Sequence, residues 1–130
     1  MSQILNLANL VADKLHEYHA EVRFAPEFDL RNLETMRIVV APHSTEYKAL
    51  TRTAHEELIK IQIGVLKRCS EDELSAMLPF VETLGLSFLN KKLGGAMCVG
   101  VAYDPIYSAE HLRERRQFTS VIELTFKLVL

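Results

Sequence analysis

Residues 115–130 read RRQFTSVIELTFKLVL, and their alternation decides the fold. Phe118, Ser120, Ile122, Leu124, Phe126, Leu128 and Leu130 fall on one parity, while Thr119, Glu123, Thr125 and Lys127 fall on the other. Side chains in an extended chain point alternately to two faces, so this is a strand with one apolar face. It runs to the last residue. Chain ends fray unless something ties them down. An apolar terminal strand must therefore be held by its own sheet or by another subunit, and assembly becomes the first expectation.

Upstream of this strand, SAEHLRERR (108–116) reads as a short helix capped by Ser108. AMCVGVAYDP (96–105) is a strand ended by Asp104 and Pro105. SEDE (70–73) has the spacing of a capping box, Ser70 with Glu73, and opens a helix with Leu74, Met77, Leu78, Val81, Leu84 and Phe88 on one face. Pro79 inside that helix predicts a kink, and the basic residues and glycines of NKKLGG (90–95) predict its stop. ELIKIQIGVLKR (57–68) alternates Ile59, Ile61, Ile63 and Val65 with polar residues, a strand buried on one face, where Gly64 marks a bulge or a close neighbour.

At the N-terminal end, Ile4, Leu7, Val11, Leu15 and Tyr18 recur at helical spacing, predicting an amphipathic helix over 3–18 with Ser2 as its cap. EVRFA (21–25) is a short strand, EFDLRNLET (27–35) a polar connector, and MRIVVAP (36–42) a strand closed by Pro42. HSTEYKALTRTAHE (43–56) has no clean period and reads as a long polar loop, mobile in the free protein and anchored on a partner by Tyr47 and Arg52. The fold expected is α+β, in one domain over 1–130. It has a mostly antiparallel sheet of four to five strands with two main helices packed on one face, plus a short helix before the C-terminal strand.

With 130 residues, 48% hydrophobic and 25% charged, the chain is large enough to build a core without disulfides or a structural metal. A net charge of −2 favours neither nucleic acid nor an anionic membrane. The N-terminal stretch lacks the basic n-region and cleavage site of a signal peptide, and no run is long enough for a bilayer span. Cys69 and Cys98, the only two cysteines, fit a reducing cytoplasm and read as small buried hydrophobes.

No catalytic constellation emerges, and neither a cofactor nor a metal is called for. His16 and His19 have a spacing that places two imidazoles on one helical face, with Asp13 nearby, but no further ligand stands at motif spacing. No nucleophile elbow and no phosphate loop occurs. Glu56 with Glu57 reads as a strand-edge feature, and Glu71, Asp72 and Glu73 serve helix capping. RERRQ (113–117) is the densest basic run, and Arg113 and Arg116 read as an interfacial face.

The leading helix, the RIVVAP strand, the long polar loop, ELIKIQIGVLKR followed by SEDELSAMLPFVETL, and the YDPIYSAEHLRERRQFTSVIELTFKL ending together resemble the tail terminator proteins of long-tailed bacteriophages. The likeness covers nearly the whole chain and rests on layout and a "YD-x(3)-(S/A)-x(2)-L" approach to a terminal strand beginning with Phe. It implies a small protomer that forms a homo-oligomeric ring, a hexamer, in the virion at the tail/neck junction, made in the bacterial host cytoplasm. The ring would cap the major tail tube protein, stop its polymerisation and offer its other face to the head-completion or connector protein. Candidate interface residues are Tyr47, Arg52, Arg113, Arg116, Glu123 and Lys127. Two alternatives stay open: a head-completion or neck adaptor or minor tail protein of a phage, and a small metal- or ligand-binding enzyme domain using the histidines and the space between helices and sheet.

Overall fold

The Ser2 hydroxyl accepts a hydrogen bond from the Leu5 backbone N–H at 3.3 Å, as the cap expected there requires. The computed structural model describes residues 2–24 and 36–129. Helix α1 (Gln3–Lys14) buries Leu7, Ala8 and Val11. It ends earlier than the expected residue 18. A 3-10 turn over His16–Tyr18 takes its place, with the His16 ring nitrogen Nδ1 2.9 Å from the Asp13 carbonyl and His19 in the left-handed region at φ 55°. The connector expected over 27–35 lies outside the described residues.

Six strands form one sheet in the order β1-β2-β3-β6-β5-β4. They are β1 (Glu21–Val22), β2 (Arg37–Ala49), β3 (His55–Arg68), β4 (Lys92–Leu93), β5 (Ala96–Tyr103) and β6 (Gln117–Val129). Helix α2 (Leu74–Leu86) precedes β4, and α3 (Ala109–Arg115) precedes β6. The α+β class holds, but the sheet is larger than the four to five strands expected. It is also mixed, because β1 runs parallel to β2 while every other pair is antiparallel. The added strand is β4, a two-residue element too short to show a period.

Register places Ile38 and Val40 of β2, Ile59, Ile61, Ile63 and Val65 of β3, and Ile122, Leu124 and Phe126 of β6 on one face. The same core contains Leu7 and Val11 of α1 and Met77, Val81 and Leu84 of α2. Both main helices therefore pack on one face, as expected. Tyr18 meets Phe80 edge-on at 5.6 Å between ring centroids, which joins the end of one helix to the other. Gly85 lets β5 approach α2 closely. A Cβ there would lie 2.5 Å from the Tyr103 hydroxyl, which donates to the Glu82 carbonyl at 2.6 Å.

Several local readings are corrected. Pro42 does not close its strand; β2 runs through it to Ala49, and the register shift between Pro42 and Ser44 absorbs the proline. Residues 43–56 are thus not a loop but the distal half of a β2–β3 hairpin with its turn at 50–54. Their polar composition hid the strand because most of these side chains are exposed on both faces. The capping box does not form: Ser70 opens a 3-10 turn over Glu71–Glu73, and its hydroxyl lies 3.4 Å from the Glu73 carboxylate rather than on a backbone N–H. Helix α2 runs from Leu74 to Leu86 through Pro79. Asn90, at φ 64°, follows the helix, while Gly94 and Gly95 make the β4–β5 turn with positive φ at both positions. Gly64 is in register between Val39 and Val121; the bulge falls in β5, between Cys98 and Gly100.

Strand β6 starts at Gln117 and keeps the parity read from the sequence. It is not at an edge: β3 pairs with it from Gln117 to Val129, and β5 pairs with it from Ile122 to Lys127. The sheet itself holds the terminal strand. Its first half is buried on both faces, with Thr119 only 3% exposed, so the second parity opens to solvent only from Glu123 onward.

Candidate functional site

The six candidate interface residues occupy three places. Arg113 and Arg116 lie at the α3 end, where they line a cleft of about 450 Å³ with Ser70, Glu71, Asp72 and Leu112. Arg116 is the left-handed cap of α3, and its carbonyl accepts the Cys69 N–H at 2.8 Å, which ties α3 to the end of β3. The cleft sets basic side chains beside acidic ones, so its net charge is small.

Glu123 and Lys127 lie on the outer face of the sheet, away from α1 and α2. Gln62, Glu123 and Ala102 form one row across β3, β6 and β5, and Leu58, Lys127 and Met97 form another. Lys60 Nζ is 3.4 Å from Glu123, and Lys127 Nζ is 2.8 Å from Glu56. The outer face of the β2 arm adds Ser44, Glu46 and Lys48. Charges of both signs therefore cover this face around the exposed Met97 and Val99. Such mixed pairs fix orientation and exclude wrong partners more than they add affinity.

Tyr47 and Arg52 belong to the hairpin. Arg52 sits in the turn, and Tyr47 lies on the helix-side face of β2, opposite Glu57. Tyr47 is 59% exposed and its ring meets His55 at 5.8 Å. The hydrogen-bonding reach of the Glu57 carboxylate pushes the Tyr47 phenol above its ordinary value, with burial and the carboxylate charge acting in the same direction. Along the outer side of β2, β1 pairs only with Val39 and Val40. From His43 to Ala49 the strand is exposed and has no strand on that side among the described residues. An edge of this kind presents alternate unpaired N–H and C=O groups to another chain.

Glu57 departs from the strand-edge position its sequence suggests. It is not at a strand edge, since β3 lies between β2 and β6, and it is 1% exposed. Thr45 Oγ1 donates to its Oε2 at 2.8 Å, while its buried Oε1 has no hydrogen-bond partner among the described residues. The signal was present: Glu57 shares the parity of Ile59, Ile61 and Ile63. Beside it, a groove of about 410 Å³ runs between α1 and the sheet, lined by Leu7, Leu10, Ile59, Leu93 and Leu128 among others.

His16 and His19 do not form a ligand pair on a helix, because α1 ends before them. Among the described residues no group of three or more His, Cys, Asp or Glu side chains is placed to hold a metal ion. Cys69 and Cys98 are buried free thiols, and burial pushes both pKa values up. No helix among the described residues is long and apolar enough to cross a membrane. No protein-family model matches the chain, and no curated protein matches it.

Proposed function

We propose that the protein is a structural component of a long-tailed bacteriophage virion, a tail terminator that closes into a ring on the finished tail tube. In this reading six copies form the ring, stop tube polymerisation and offer the opposite surface to the head-completion or connector protein. The resemblance in layout motivates the reading. The observation that carries it is the distal arm of β2, where residues 43–49 stand exposed and have no strand on their outer side among the described residues, while the proximal half, Ile38 to Ala41, is buried. A strand edge left open in a small domain favours contact with another chain. A head-to-tail contact that closes on itself uses such an edge without producing fibres.

The outer face supports the same assignment. Its mixed charges and the exposed Met97 and Val99 at the β5 side suit an interface with an apolar centre and a polar rim. The test is to add the purified protein to polymerising tail tubes and measure tube length by electron microscopy. A terminator yields tubes that stop growing and carry a ring at one end. Tubes that grow unchanged contradict the reading, and binding to filled heads instead of tails favours the neck adaptor.

A further inference from the structure

Glu57 poses a chemical problem that the described residues do not solve. Its carboxylate is buried in the middle strand of three, with Tyr47 opposite on β2 and Leu128 opposite on β6. Thr45 satisfies Oε2, the Tyr47 phenol stands within hydrogen-bonding reach of the carboxylate, and Oε1 is enclosed without a partner among the described residues. A buried carboxylate oxygen without a donor is costly, and a carboxylate with a free oxygen is a strong acceptor for a cation.

The surroundings indicate what kind of cation fits. Ile59 follows Glu57 on the same face of β3, and Leu128 is its register partner; both also line the apolar groove of about 410 Å³ beneath α1. The carboxylate therefore stands at the end of an apolar floor. A group with an apolar stem and a cationic head matches that arrangement, and lysine and arginine side chains have this form. Tyr47, with 59% of its surface exposed, covers the carboxylate from the β2 side and has little buried area to lose by swinging aside.

We infer that Glu57 is the acceptor for a lysine or arginine side chain of a second copy of this chain, seated along the Ile59 and Leu128 floor when the ring closes. This rests on the ring reading. The chain carries suitable donors: Lys48, Arg52 and Lys92 are exposed in the two hairpins and make no ion pair among the described residues. One copy thus supplies both the acceptor and the donor, as a head-to-tail contact needs at every interface.

Sedimentation of the wild type and of Glu57→Gln over a range of concentrations, with thermal melting of each at the dilute end, tests the inference. Glutamine keeps the shape, removes the charge and retains the Thr45 bond. The expected result is a dilute protomer that melts at the same or a higher temperature, together with self-association weakened at least tenfold. A lowered melting temperature overturns the inference, because the carboxylate would then be satisfied within one protomer. Equal self-association of both proteins overturns it and leaves the ring reading intact. A wild type that never self-associates overturns both.

Discussion

Single residues divide sharply by the face they occupy. Phe126 is fully buried between Ile59 and Cys98, so Phe126→Ala is expected to cost about 3–5 kcal/mol in chemical denaturation. Glu123 lies on the other face, with its side chain about a quarter exposed and Lys60 3.4 Å away. Glu123→Lys therefore loses an ion pair worth at most about 1 kcal/mol and leaves the melting temperature within a few degrees, while assembly weakens. Unfolding of that variant, or no change in either property, would contradict its place on an interface. Tyr103 offers a pH test. Burial, and then the Glu82 charge, raise its phenol pKa above the unfolded value of 10.0. The stability it contributes is then fully present below pH 10 and is lost as pH rises through the higher folded value. Tyr103→Phe should flatten that alkaline loss in melting experiments, and an unchanged alkaline profile would contradict the assignment.

Elements were legible where one face is buried and illegible where neither is. Strand β6 and the proximal half of β3 announce themselves because the core forces a period of two on Ile59 to Val65 and on Phe118 to Phe126. The distal arm of β2 has no core to face, so HSTEYKA carries no period, and among the described residues only hydrogen bonds to β3 hold it extended. The stop of α2 misread for a related reason, since Gly94 and Gly95 serve a hairpin turn as well as they would serve a helix end, whereas the Ser2 and Ser108 caps form as expected. Of the candidate residues, the exposure of Tyr47 was legible from its polar surroundings, but the burial of Glu57 was not, because an acid on an apolar parity is easily assigned to solvent. The arm makes its own prediction for hydrogen exchange. Residues 56–60 of β3 are bonded on both sides, by β2 and β6, and should exchange slowly. Residues 43–49 are bonded on one side only among the described residues, and they should alternate between slow and fast. Uniformly fast exchange over 43–49 would mean that the arm is a loop in solution.

At the scale of the whole molecule, the terminal strand no longer supplies the reason for assembly, because β3 and β5 enclose it. The reason moves to the sheet margins. Among the described residues the β2 arm has no outer strand partner from His43 to Ala49, and on the other side β4 pairs only with Ala96 and Met97, so β5 from Val99 to Tyr103 has no strand beyond it. Two open margins on opposite sides of one sheet are what a head-to-tail contact uses, and such a contact either closes into a ring or extends without limit. In the proposed ring it closes. Native mass spectrometry of the wild type across a wide concentration range tests this most directly. The ring should appear as a single discrete species at six times the 14.8 kDa protomer mass. A monomer at every concentration, or an open-ended ladder of oligomers, would contradict it.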